Sequence, residues 1–172
     1  HEFAYEKGIT DKDQVFRLVT GRVFDGKETI YGGVSAPIYQ GVREEIDGID
    51  VIPVYGRWMN TVSIPQEGNV PMVVEEPEGI FAVDSSYFNL VSYRWLAGNK
   101  QTALDQPKNV VLTESRAKAY FPNVEYSSVI GRTIIYEDSL RMSVSAVVQD
   151  LDYPTEFNGQ EFIVLQPKAY PL

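Results

Sequence analysis

The stretch VVLTESRAKAYF, residues 110–121, sets a serine at the corner where a short apolar run becomes helix-like. Hydrolases place nucleophilic serines at such strand-to-helix corners, so Ser115 is the first candidate for chemistry. A serine nucleophile needs a base to take its proton. The only imidazole in the chain is His1, at the terminus, and Lys118 stands one helical turn from Ser115 as the alternative base. The strained elbow also needs small residues two before and two after the serine. Thr113 and Ala117 stand there instead of glycines. The competing reading is structural: Thr113 caps a helix, and Glu114 in the first turn complements its dipole. That reading is preferred. A hydrolase acting through Ser115 would be labelled by a serine-directed probe, and its minimum requirement is loss of activity in Ser115→Ala.

Other chemistry-bearing types are present without the spacing their chemistry needs. Glu44-Glu45, Glu75-Glu76 and Glu137-Asp138 are paired carboxylates, but glycosidases hold theirs in a cleft, about 5–9 Å apart. These pairs fall on a polar helix face and at two turns, and read as solvated surface. The segment starting at Asp47 lacks the further ligands of a calcium loop, and no nucleotide-binding glycine pattern occurs. No catalytic residue, cofactor or metal is expected. Eleven tyrosines and two tryptophans could line a sugar or peptide surface. Tyr87, Tyr93 and Trp95 lie in segments expected to pack. Arg57, Trp58 and Tyr153 lie in less regular stretches and are the candidates for ligand contact at the surface.

Composition narrows the class. The chain has 172 residues and a hydrophobic fraction of 44%, enough for one domain or two small subdomains with a core. A net charge of −9 opposes a phosphate-backbone partner, so no nucleic acid is expected. The absence of cysteine excludes disulfides and thiolate sites. No apolar run reaches transmembrane length, and no signal peptide is evident, so the piece as it stands is expected to be soluble.

The elements that must position these residues follow from periodicity. Residues 15–24 read as a strand buried on much of both faces, with a turn at Asp25-Gly26. Residues 35–48 read as a helix: Ser35 at the N-cap, Pro37 in the first turn, an apolar stripe of Ile38, Val42 and Ile46, and Gly48 as the stop. Residues 49–55 read as a strand that Pro53 confines to an edge, giving a βαβ-like order. Residues 70–84 read as a hairpin turning at residues 76–79. A short helix capped by Asp84 or Ser85 follows, then an extended run ending at Gly98. Residues 102–109 read as a loop, 110–112 as a buried strand and 113–121 as a helix. Residues 131–151 read as a second hairpin bent at residues 137–139, and the segment EFIVLQP as a final strand.

Taken in order, five runs between Asp84 and Asp150 carry a family resemblance. They are Asp84-Ser85-Ser86-Tyr87-Phe88, Leu96-Ala97-Gly98, Val110 to Glu114, Ile130-Gly131-Arg132-Thr133-Ile134, and Val144 to Asp150. The chain resembles the MacB-like periplasmic core domain of ABC transporter permeases, in the FtsX-like superfamily. DQVFRLV near the N-terminus is similar to the run that follows the first membrane helix in such permeases of Bacteroidetes-like bacteria. Two departures stand out. Ala146 takes the place of the usual glycine, and the chain stops where the family continues toward a second membrane segment.

The resemblance implies an α+β fold of mixed small sheets and helices. A porter-like α/β part would span residues 1–66 and a mostly β, Sabre-like part residues 67–172. It implies a non-catalytic extracytoplasmic domain of an inner-membrane protein. That domain would couple cytoplasmic ATP hydrolysis to export or envelope processes by mechanotransmission. The implied partners are a cytoplasmic ABC ATPase acting through the parent permease, a second permease copy in a homodimer or pair, and an envelope protein. The alternative is a free-standing extracytoplasmic module binding glycans or peptides.

Overall fold

Asp25-Gly26 is a two-residue turn signal and folds as one. Both residues take positive φ, 50° and 73°, the geometry that matches the twist of a tight hairpin. In the computed structural model β1 (Thr20–Phe24) and β2 (Lys27–Tyr31) pair antiparallel across it. The structure describes residues 8–9 and 12–165. These divide into two units, residues 12–51 and residues 8–9 with 52–165. His1, Asp11 and the end of EFIVLQP beyond Leu165 lie outside the described residues.

In the smaller unit, α1 (Ala36–Glu45) has Pro37 in its first turn and extended Ser35 at its N-cap, whose side chain makes no capping bond. Ser35 instead accepts the Ile38 amide on its carbonyl at 3.0 Å. Gly48, at φ +81°, follows the helix end. Three expectations are corrected here. The strand is shorter than residues 15–24, and it is exposed: Phe16 is 87% and Phe24 86% accessible. Ile38 and Ile46 of the stripe are also exposed, and Tyr39 of α1 is buried. The βαβ-like order fails because, among the described residues, β1 pairs only with β2, in a two-stranded sheet.

Among the described residues, the larger unit holds nine strands. They are β3 (Val54–Arg57), β4 (Thr61–Ile64), β5 (Met72–Glu75), β6 (Ile80–Val83), β7 (Trp95–Ala97), β8 (Asn109–Thr113), β9 (Thr133–Tyr136), β10 (Leu140–Val148) and β11 (Glu161–Val164). Their order is β3-β6-β11-β8-β10-β9-β4-β5, with β7 pairing β10. In a flat sheet, the six steps from β3 to β4 would separate them by about 29 Å. Residues 58–60 are all that join them, and the four peptide steps from Arg57 to Thr61 reach at most about 14 Å. The sheet must therefore curl, bringing its ends toward each other as a half-barrel. β3 takes the edge position that Pro53 foreshadows.

The expected hairpin over residues 70–84 does not form. β5 pairs with β4, whereas β6 joins β3 and β11. The turn residues are used as expected, with Glu76 at φ 48° and Gly79 at φ 75°, but they carry the chain across the open seam of the curled sheet. The second hairpin does form, between β9 and β10, with Glu137 and Asp138 both at positive φ.

Helices pack on this frame. They are α2 (Tyr87–Leu90), α3 (Glu114–Tyr120) and α4 (Tyr126–Val129). Tyr87, Phe88 and Val91 join Val83, Val111, Val148 and Phe162 in one buried cluster. The Tyr87 and Phe162 ring centroids lie 5.1 Å apart, and those of Phe88 and Trp95 lie 5.0 Å apart. Each large side chain so buried contributes about 1.5–3 kcal/mol. Tyr87 and Tyr93 satisfy their hydroxyls on the Phe157 carbonyl, at 3.3 and 3.2 Å.

β10 carries a bulge at Ser145, whose hydroxyl donates to the carbonyls of Ala103 and Val110. Gly98 lies over the bulge at φ +73°, and a Cβ there would fall 2.5 Å from the Ser145 carbonyl oxygen. Ala146 is fully buried in this strand. The close backbone approach thus rests on Gly98, and the strand accommodates alanine at 146.

Candidate functional site

The β8–α3 junction holds Ser115, the candidate nucleophile. Thr113 sits at the N-cap of α3 and accepts the Arg116 amide at 3.4 Å, a long capping bond. Its hydroxyl donates to the Gln160 side chain at 2.9 Å. Ser115 is bound by Asp150: its amide and its hydroxyl both donate to Oδ2, at 2.9 and 2.8 Å. Lys118 donates to Oε1 of Glu114 at 2.6 Å. That bond to Glu114 raises the Lys118 pKa, so the ammonium is held protonated rather than released as a base. The Tyr126 hydroxyl donates to the same oxygen of Glu114 at 2.6 Å. Those two bonds, from Lys118 first and Tyr126 next, hold the Glu114 pKa below its ordinary value. The serine, its neighbour acid and the lysine together tie down the start of a helix.

The opposite face of α3 carries a cluster that the sequence reading did not single out. Glu161, first residue of β11, is fully buried. Tyr120 of α3 donates its hydroxyl to Oε1 at 2.5 Å, and Tyr136 of β9 donates to Oε2. The Arg116 Nε lies 3.2 Å from Oε1, close enough to pair charges, though not aligned as a hydrogen bond. Arg116 also donates from Nη2 to the Glu78 carbonyl at 2.5 Å, and its guanidinium lies 5.3 Å from the Tyr120 ring centroid. Burial raises the Glu161 pKa, against the two tyrosine bonds and the arginine charge, which lower it. Burial, reinforced by the Glu161 charge, pushes both the Tyr120 and Tyr136 hydroxyls above the usual phenol range. With no opening to solvent at Glu161, this cluster fastens α3, β9, β11 and the residue 76–79 connection together.

The three surface candidates separate. Arg57 ends β3, and Trp58 follows it with 81% of its surface accessible. Tyr153 lies in the segment between β10 and β11, half-buried, with its ring over Gly8: a Cβ on Gly8 would fall 1.8 Å from the Tyr153 hydroxyl. Tyr153 thus has a packing role. An open groove of about 440 Å³ is lined by Pro65, Gln66, Glu67, Phe121, Arg132 and Thr133. The Arg132 guanidinium lies 5.4 Å from the Phe121 ring centroid, and its Nε donates to the Ser128 carbonyl at 3.1 Å. Among the described residues, no group of three or more His, Cys, Asp or Glu side chains is placed to hold a metal ion. Nor, among them, is any helix long and apolar enough to cross a membrane.

With this geometry in hand, similarity to known proteins is informative. The sequence profile of the family described as MacB-like periplasmic core domain matches residues 3–170. A search of curated proteins finds no match. Among solved structures, a domain of a protein assigned as a permease in Porphyromonas gingivalis superposes with a TM-score of 0.60 at 16% identity, covering 80% of this chain and 55% of that one. The periplasmic region of MacB from Actinobacillus actinomycetemcomitans superposes with a TM-score of 0.53 at 15% identity, covering 74% of this chain and 54% of that one. The chain thus spans about half the length of the solved structures it matches. At such identities the likeness is one of fold, and the α+β architecture with a curled sheet is the shared feature.

Proposed function

This chain belongs to the family of MacB-like periplasmic core domains, and from that premise we propose that it transmits motion in an ABC transporter permease. It is the extracytoplasmic part of an inner-membrane protein. A cytoplasmic ABC ATPase works on that protein, and the domain rearranges against its counterpart in a second permease copy. The domain itself performs no bond chemistry. Residues 12–51 are assigned to the porter-like part and residues 52–165 to the Sabre-like part. The boundary in this reading falls at the division between the two units rather than at residue 66, since β3 and β4 both belong to the large sheet.

The observation that carries the reading is the family match. The larger unit supports it as a stiff body: a curled sheet spanned by two short connections, with the buried Tyr120 and Tyr136 both bonded to the buried Glu161. A transmitter needs two discrete arrangements of stiff parts rather than a reactive group. A free-standing glycan- or peptide-binding module remains the second reading, favoured only by the exposed Trp58.

The test uses the full-length permease with its ATPase. The chain has no cysteine, so Lys100→Cys and Asp138→Cys each offer a spin-label site unique within this domain once cysteines elsewhere are removed. Distances between the two copies are then measured in the ATP-trapped and ADP-bound states. A shift of several ångströms at one or both labels is expected. Unchanged distributions at both would sink the proposal. A parent reading frame with no membrane helix would sink the permease assignment itself.

A further inference from the structure

Residues 58–60 span the curled sheet by joining β3 to β4. Met59 points inward and is 4% accessible. Asn60 is fastened from several sides. Its amide and side chain donate to the Glu137 carboxylate, and its carbonyl accepts the Glu76 amide at 2.8 Å. Trp58 sits between a strand end and this double anchor with 81% of its surface in water. A large ring held out by a fixed backbone loses little further freedom on contact, which is what makes tryptophan a common anchor of interfaces.

The surroundings define what would cover it. Glu76 and Glu137 bracket Asn60 directly. Glu75 pairs in register with Thr61, and Glu78 stands two residues before Ile80, which pairs with Arg57. Asp138 follows Glu137 at the turn. The ring therefore projects beside an acidic rim, with Arg57 preceding it in the chain and Arg116 reaching the Glu78 carbonyl. Trp faces attract guanidinium and ammonium groups, and carboxylates around the ring add to that attraction.

We infer that Trp58 and its acidic rim form a docking point for a basic protein segment, one that lays an arginine or lysine on the indole face. The inference stands apart from the permease reading and would hold for this domain in any setting. A glycan occupying the same ring is the competing outcome.

The test is fluorescence anisotropy of labelled N-acetyl hexa-arginine amide with the 172-residue chain. Saturable binding that weakens with salt is expected. Trp58→Ala should weaken it about fivefold or more. Trp58→Lys, which adds repulsion at an exposed site, should weaken it further. Glu76→Gln with Asp138→Asn should weaken it comparably, whereas Glu44→Gln with Glu45→Gln on α1 should leave it within about twofold. Circular dichroism of each variant confirms that the fold is kept. Wild-type affinity in both Trp58 variants, or equal losses from near and remote acid pairs, would show only diffuse attraction to an acidic chain and overturn the proposal. Displacement of the peptide by chitotetraose would reassign the ring to a glycan and overturn it too.

Discussion

Helix α3 presents the same three ingredients to two environments. Outside, Glu114 is bound by Lys118 and Tyr126. Inside, Glu161 is bound by Tyr120 and Tyr136 and paired with Arg116. A carboxylate, a phenol and a cation meet in both. Yet the pKa of Glu114 is lowered by its partners, and that of Glu161 is raised by burial despite them. The lesson is that partners do not set the energetics alone. In water, the outer pair gains little, because screening and side-chain entropy cancel most of the attraction. In the core, the inner set must recover the cost of desolvation, and every member depends on the others.

The comparison breaks most visibly at its buried end. Glu161→Ala should destabilise by about 3–5 kcal/mol, because it strands a guanidinium and two phenols out of water. Urea denaturation monitored by near-UV dichroism reads this directly. A loss under about 1 kcal/mol would mean that water enters and replaces the carboxylate. Tyr136→Phe is gentler. It keeps the ring and removes one donor, so a loss of about 1–3 kcal/mol is expected in the same assay.

The two carboxylates should also differ in the sign of their pH dependence. A raised native pKa means that the Glu161 contribution is fully present below the unfolded value and is lost as pH rises through the native one. Measured against Glu161→Gln, the stability of the parent should therefore fall as pH climbs from the ordinary glutamate range. Glu114, with its pKa lowered, contributes above its unfolded value and loses that as pH falls through the native one. Measured against Glu114→Gln, the parent should gain with rising pH, faintly. Slopes of the same sign would show that Arg116 holds Glu161 ionised in spite of burial. The smallest effect is expected from Lys118→Met, whose melting midpoint should stay within about 2 °C of the parent. A larger drop would mean that the outer pair matters as the inner one does.

Much of the local structure was legible because its causes are local. The Asp25-Gly26 and residue 137–139 turns declared themselves through residues that tolerate positive φ. The run from Val110 to Ala117 declared a strand, a threonine cap and a helix, and its wording carried the family resemblance. What failed was pairing between remote segments. Residues 70–84 have the pattern of a hairpin, and only the curl of the sheet sends β5 and β6 to different partners. Residues 15–24 are apolar enough for a buried strand, but apolarity states a preference and does not name a cover. Glu161 escaped notice because a glutamate opening an apolar strand looks like a solvated end. Its partners lie 25 and 41 residues away in the chain, and no spacing rule connects them.

Strand β11 lies inside the sheet, between β6 and β8, although it is the last of the described strands in chain order. Until residues 161–164 leave the ribosome or the translocation pore, β6 and β8 are both left with a bare edge toward the vacant slot. The larger unit thus cannot finish folding strand by strand as it emerges. It must wait, exposed, for its closing piece, and such long-range pairings are slow and prone to trapping by neighbouring chains. A ribosome stalled just short of Glu161 would hold a sheet split in two, and one stalled well beyond it would hold β6 and β8 joined through β11.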